Sequence, residues 1–276
     1  SGYFRWTDIG TRDNVVNDRL MDVNLGVNAQ INDDISVEAY YTYSDIKSTS
    51  IGKYYLSYGG VAENILYEVS DPDQYLANLK HTTLNDDTIN MQKIAAGLQW
   101  NMFEMAGGMA STYFGVETFD INYRADVDAQ SEAGLVGGSA GNSAQGSRSV
   151  NAVMAEAILP VTDYLEVDLA VRYDNYDDFG SEVSPRVGAR FTMIDNLVVK
   201  ASYGQGFRAP DLSDLYGATS FSAEDAKDYY GCSLDGISEA DCPNRQFDTY
   251  IGSNPDLEAE TSETMSFGVE YTYDNN

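Results

Sequence analysis

From Met21 the chain alternates strictly. Met21, Val23, Leu25, Val27, Ala29 and Ile31 are apolar, while Asp22, Asn24, Gly26, Asn28 and Gln30 between them are polar or glycine. After Asn32-Asp33-Asp34 the alternation resumes, with Ile35, Val37, Ala39, Tyr41 and Tyr43 on one side and Ser36, Glu38, Tyr40, Thr42 and Ser44 on the other. A period of two belongs to a strand with one apolar face. The same pattern returns in 165–173, 187–193, 197–203 and 265–273. Segments 88–100, 105–122 and 148–159 are less regular, and the apolar parity shifts near Gln92-Lys93, which predicts a β-bulge there. With a further strand in 3–10, the pattern predicts about ten strands.

The connections alternate as well. Asn32–Asp34, Asn101–Glu104, Pro160–Asp163 and Asp195-Asn196 read as short turns, and 45–87, 123–147, 175–184 and 205–261 as long connections. Runs of about ten residues, short turns at one end and long loops at the other, are the layout of an outer-membrane barrel. Tyr41, Tyr43, Trp100, Tyr173, Tyr176, Tyr203, Phe207, Tyr271 and Tyr273 gather near strand ends, as in interfacial girdles. A soluble β-sandwich predicts shorter strands and no such alternation of connections. Within the loops, Asp71-Pro72 opens a short capped helix, 134–147 is a mobile Gly/Ser-rich stretch, and Ser222–Gly231 reads as a second short helix.

Charge narrows the function. The 276 residues hold 44 acidic against 16 basic side chains, a net charge of −28, which excludes a nucleic-acid partner. Twelve acidic residues against Arg208, Lys227 and Arg245 lie between Gly206 and Thr261. They read as solvated loops or as a surface for a cationic or metal-bearing ligand. No apolar run is long enough for a transmembrane helix, and a mean hydropathy of −0.36 suits alternating strands. Cys232 and Cys242 read as one loop-closing disulfide in an exported protein, or as two free thiols in a cytosolic one. His81 is the single histidine, so no metal site and no enzyme motif is assembled. His81 itself reads as a surface residue.

From Leu165 onward an ordered series of motifs appears. It comprises Leu169–Gly180 (LAVRYDNYDDFG), Ser184–Phe191 (SPRVGARF), Val199–Tyr216 (VKASYGQGFRAPDLSDLY) and Asn254–Glu263 (NPDLEAETSE). Gly206-Phe207-Arg208-Ala209-Pro210 followed by Asn254-Pro255, Leu257 and Glu260 resembles the TonB-dependent outer-membrane receptors. The resemblance covers about 165–273; the upstream half is similar in style only. It implies a barrel of about 22 strands around an N-terminal plug, embedded in the outer-membrane lipid of a Gram-negative bacterium. Such a receptor imports a scarce nutrient with energy from the TonB complex: a siderophore, metal chelate, cobalamin, oligosaccharide or peptide. No plug and no final aromatic-terminated strand are recognisable, so residues 1–276 read as the middle-to-late part of such a barrel. The opening Ser1–Trp6 reads as following a removed signal peptide or as starting in mid-protein. A complete ten-stranded barrel, acting as a porin, an adhesin or an omptin-like protease, is the alternative.

Parity then places the charges. Glu38, Glu166, Asp168, Arg172, Arg186, Arg190, Lys200 and Glu270 all fall opposite the apolar positions, hence toward the lumen. Gly204 and Gly206 read as points where the strand bends or passes close to a neighbour, and Pro210 as its end. Arg208, Tyr216, Tyr229, Tyr230 and Arg245, in the last long connection, are the candidate ligand contacts, with Arg208 also suited to an interstrand salt bridge. No cofactor is implied.

Overall fold

A computed structural model describes residues 6–138, 141–194 and 196–273. Their order is β1 (Asp13–Gln30), β2 (Ile35–Ser57), α1 (Tyr58–Leu66), α2 (Pro72–Leu79), β3 (Lys80–Met105), β4 (Gly108–Val127), α3 (Ala129–Glu132), β5 (Val136–Gly137), β6 (Ala144–Thr162), β7 (Leu165–Tyr176), β8 (Gly180–Ile194), β9 (Leu197–Arg208), α4 (Leu212–Tyr216), β10 (Ser220–Lys227), α5 (Tyr229–Leu234), β11 (Asn244–Ile251) and β12 (Glu260–Tyr271). Among the described residues β1-β2-β3-β4-β6-β7-β8-β9-β12 form one antiparallel sheet, open at β1 and β12, with β5 added to β2. The β10–β11 hairpin is a separate two-stranded sheet.

Side-chain chemistry sets the short turns. Asn32 Oδ1 accepts from the amides of Asp34 and Ile35, both at 2.9 Å, and Thr162 Oγ1 accepts from Leu165 N at 3.1 Å. Gly107 is required where the β3–β4 turn meets its neighbour, because a Cβ there would stand 2.2 Å from the Thr162 carbonyl oxygen. Asp71 caps α2 as expected, accepting from the amide of Asp73 at 2.9 Å, with Pro72 at the first helical position.

Several boundaries differ from the pattern reading. Asn101–Glu104 is not a turn; β3 runs through it with a bulge between Asn101 and Phe103, and the turn is Ala106-Gly107. Connection 45–87 shrinks to 58–79, because β2 and β3 continue as strands of 23 and 26 residues. Connection 175–184 shrinks to 177–179. Ser222–Gly231 is mostly β10; the helix starts at Tyr229, capped by Asp228. Thr7–Ile9 is a 3-10 turn rather than strand, while the rest of that expected strand up to Arg5, and Asp195 of the β8–β9 turn, lie outside the described residues. The apolar residues of the β2 end fall on both parities, Ile46 and Leu56 against Ile51 and Tyr55, so alternation could not mark it. Cross-strand hydrogen bonds extend it instead.

The apolar band crosses the sheet obliquely. Tyr203 and Met265 are the last band residues toward the loop end of β9 and β12, and they are paired. Their row runs through Val187, Leu169, Ala157, Thr112 and Trp100 to Ile35, at the turn end of β2. On β1 the band instead reaches up to Met21. Its upper edge thus falls by about ten residues, ~33 Å, over eight strand spacings totalling ~38 Å. The strands therefore tilt by about 40°, within the range of outer-membrane barrels, and the band stands about 25 Å tall.

The parity shift near Gln92-Lys93 is not a bulge, since the register with β2 and β4 is unbroken there. The apolar side chains change face. Ile94, Leu98, Phe114 and Val116 lie on the belt face, whereas Ile89, Met91, Phe119 and Ile121, above the belt, lie on the opposite face. At that height the belt face is polar: Asp45 is bonded by Arg19 at 3.2 Å and by Asn90, and Asp86 by Lys47 at 3.1 Å and Thr49 at 2.7 Å.

Candidate functional site

The face opposite the belt carries every charge that parity assigned there. Glu166, Arg190 and Lys200 share one row, Asp168 faces Gly188, Arg172 faces Ser184, Arg186 faces Ala170, and Glu38 faces Gly97. Two side chains that sequence reading missed, Lys93 and Glu117, organise its centre. Glu117 takes Lys93 at 2.6 Å on one oxygen and Arg172 at 3.3 Å on the other, and Arg172 also holds Asp174 at 2.7 Å. Lys93 lies 5.7 Å from the centre of the Tyr40 ring, and Tyr113 donates to Glu38 at 2.9 Å. Lys200 pairs with Glu270 at 2.6 Å. Glu166 and Arg190 stand opposite each other without closing an ion pair among the described residues.

At the loop end the motifs converge on Arg148, another residue the sequence reading did not single out. Its guanidinium donates to Asp178 at 2.7 Å and to the Pro210 carbonyl at 2.8 Å. It also stands 5.4 Å from the ring centres of both Tyr176 and Phe179. Phe207 meets Tyr176 edge-on at 5.9 Å. The Arg148 and Asp178 side chains are only 8% and 4% exposed. The parity of Arg148 with Val150 and Ala152 was the available signal, but its partners come from β7–β8 and from the segment after β9.

This clasp folds α4 back over β6. The Tyr216 ring lies on Gly146, where a Cβ would meet it at 2.6 Å. Burial pushes the Tyr216 phenol up, with Asp178 and Asp177 adding to the shift and Arg148 opposing it. The second motif joins here: Asn254 N donates to the Asp214 carbonyl at 2.8 Å. Arg208 pairs with Asp211 at 2.7 Å and approaches Glu260 to 3.7 Å, its register partner. Gly204 and Gly206 have no positive φ. A Cβ at Gly206 would meet Ser262 Oγ at 3.3 Å, and one at Gly204 nothing nearer than 3.5 Å, so close backbone passage is not their role. Ala209 and Pro210 follow directly on β9, and Leu257 precedes β12.

Tyr229, Tyr230 and Arg245 stand apart from this mouth, on the β10–β11 arm. Cys232 and Cys242 form a disulfide at its tip, with Cα atoms 5.9 Å apart. Tyr230 is 76% exposed. The structure does not bring these three residues together with Arg208 and Tyr216.

His81 is not a surface residue. Its side chain is 15% exposed and its Nε2 lies 2.7 Å from Asp128, which also accepts from Ser131 Oγ and N and from Leu84 N. Burial pushes the Asp128 carboxyl up, but these hydrogen bonds outweigh it and hold the group below its ordinary value. The pair braces the base of α3, and the Ser131 hydroxyl bonds the Asp128 carboxyl rather than the His81 ring.

Comparison with known proteins agrees with this geometry. The family model described as "TonB dependent receptor-like, beta-barrel" matches residues 1–276. The vitamin B12 transporter BtuB of Photobacterium profundum is 29% identical over 90 residues, which are 31% of this chain and 15% of that protein. The ferric enterobactin receptor PirA of Pseudomonas aeruginosa is 29% identical over 146 residues, 49% of this chain and 17% of that one. Among solved structures, a mutant of the ferric enterobactin receptor PfeA of P. aeruginosa superposes with a TM-score of 0.57 at 20% identity, covering 93% of this chain and 33% of its own. The RagAB peptide transporter gives 0.57 at 13% identity, covering 96% and 29%. The chain thus spans less than a fifth of the curated relatives. With the family model matched from end to end, the chain belongs to the TonB-dependent receptor β-barrel family.

Proposed function

We propose that this chain forms part of the wall and mouth of an outer-membrane importer of Gram-negative bacteria. The face opposite the belt lines a lumen, and the loop end faces outward. A small nutrient ligand is captured there and passes through a plugged barrel with energy from the TonB complex, whose contact is made by a plug outside these residues. The observation that carries this reading is the clasp at Arg148. It ties the segment after β9 down over the lumen side of β6, and so shapes an entrance rather than a free loop. Chemistry on the ligand is not part of the reading.

The test is uptake. Cells expressing the full-length protein are given labelled ferric siderophores, cobalamin, oligosaccharides or peptides, with and without an uncoupler. Import of one class that stops when the proton gradient is dissipated supports the reading. Equal passage with and without the gradient would mark a passive pore instead.

A further inference from the structure

Above the belt the two faces of the sheet exchange character. The belt face becomes polar there, so lipid does not reach that height. On the opposite face, paired rows bring Leu20, Ile46, Ile89 and Tyr123 into one line and Met91 with Ile121 into the next. The β6 end of this ledge is covered by the chain itself, through Tyr216 on Gly146. At the β1–β3 end the inner strands leave Ile46 and Ile89 42% and 37% exposed, and Leu20 continues their row on the edge strand β1.

The charge around this end is one-sided. The nearby cations are already satisfied, Lys93 by Glu117 and Arg148 by Asp178. Asp22 and Asp87 share this face and have no cation within ion-pair distance among the described residues, while Asp18 accepts only from Ser48. Burial pushes the Asp87 carboxyl up, and Asp86 and Asp126, on the belt face of β3 and β4, add repulsion.

We propose that this ledge is the contact surface for an organic cation with a bulky apolar body. Centred on Ile46, its apolar part would cover Leu20, Ile46 and Ile89, and its charge would lie between Asp22 and Asp87, which flank that row on opposite sides, two strands and four residues apart. Strongly anionic chelates are disfavoured by the same carboxylates. The inference rests on the reading that this face lines the mouth of an importer, and it names the ligand class for that mouth.

The test is equilibrium dialysis of the full-length protein in detergent micelles, against an empty-micelle blank. The probes are tetraphenylphosphonium, its near-isosteric anion tetraphenylborate, and tetramethylammonium as a cation without apolar bulk. Tetraphenylphosphonium should bind about tenfold more tightly than either of the others. The Ile46→Thr/Ile89→Thr variant, which keeps β-branching, should weaken it about tenfold. Asp22→Asn/Asp87→Asn should weaken the cation and favour the anion. Heat-modifiable electrophoretic mobility verifies that each variant is folded, and Leu20→Asn replaces the isoleucine pair if that variant is not. Equal binding of the two tetraphenyl ions, or cation binding indifferent to the ledge substitutions, overturns the proposal. Energised uptake is scored separately. A protein that binds the cation at the ledge but imports nothing keeps the ledge and loses the importer, and one that imports while ignoring the cation does the reverse.

Discussion

Arg148 and Pro210 are joined by a hydrogen bond of 2.8 Å, from the guanidinium of one to the carbonyl of the other, across 62 residues of sequence. The same guanidinium is held by Asp178 and flanked by Tyr176 and Phe179. One buried cation therefore couples three family segments: the end of β7, the β7–β8 hairpin and the segment that leaves β9. The backbone carbonyl of Pro210 is what Arg148 reads. The proline has no N–H and ends the ladder, and its own carbonyl accepts from Arg148.

Replacing Arg148 by Met leaves Asp178 charged, buried and unpaired. The expected loss is about 3–5 kcal/mol of stability. Removing both members, as Arg148→Met/Asp178→Leu, should cost markedly less than the single change, because no orphaned charge remains. Urea unfolding in micelles measures both. Equal losses for the single and double variants would show that the carboxylate finds another partner.

The belt assignment can be tested by a pair of substitutions on one sheet. Val171 lies on the belt face one pair below Tyr173 at its upper margin, and Val171→Arg should cost about 1–3 kcal/mol, less than the full midplane penalty. Arg190 lies on the opposite face without an ion pair among the described residues, and Arg190→Leu should leave insertion unchanged. Folding into lipid vesicles, followed by mobility shift, reads both. Similar tolerance of the two would mean that the face bearing Val171 does not meet lipid.

The sequence made the belt legible because lipid imposes a simple rule, apolar on one face at every second residue. Val23, Val37, Leu169 and Phe267 announced it without any knowledge of their neighbours. It was silent above the belt, where water lies on both sides and strand length follows from pairing alone, so β2 and β3 ran far past their expected ends. The shift at Gln92-Lys93 was visible, but two causes fit it, a bulge or an exchange of faces, and only the register decides between them. Parity put paired charges such as Glu38 and Arg172 opposite the apolar positions, and the register keeps them on one face. It did not place their partners, because Glu117 and Lys93 come from other strands. Arg148 was invisible for the same reason in a stronger form: none of its partners is a sequence neighbour.

Glu117 serves two cations at once, and its side chain is 8% exposed. Glu117→Gln leaves Lys93 without its carboxylate and should cost about 1–3 kcal/mol. In a Lys93→Met background the same substitution should cost less, giving a coupling of about 0.5–3 kcal/mol. A double-mutant cycle by thermal unfolding supplies the number. Additive effects would mean that Lys93 and Glu117 act independently despite their 2.6 Å contact.

The disulfide closes a short loop at the tip of the β10–β11 arm, where little apolar burial holds the chain. Cys232→Ser/Cys242→Ser should lower the local stability of the arm by about 3 kcal/mol through the entropy of the open loop. The main sheet should be untouched. Protease nicking within 228–244, followed by mass spectrometry, reads the arm; heat-modifiable mobility reads the barrel. Alkylation of either cysteine in unreduced protein would contradict the bridge.

Asp128 gives the upper sheet an acid limit. Its carboxyl accepts from Ser131, Leu84 and His81, and these bonds hold it below the ordinary value of 3.8. A carboxyl depressed by folding contributes stability that is fully present above its unfolded pKa and is lost as pH falls through the folded value. The stabilisation should therefore be complete at about pH 6 and fade below about pH 3.8. Asp128→Asn removes the ionisation at every pH. The melting gap between native protein and variant should accordingly be wide at about pH 6 and narrow at about pH 3. A gap of the same size at both would mean that the cap to Ser131, which a neutral side chain can also make, carries the whole effect and that the charge carries none.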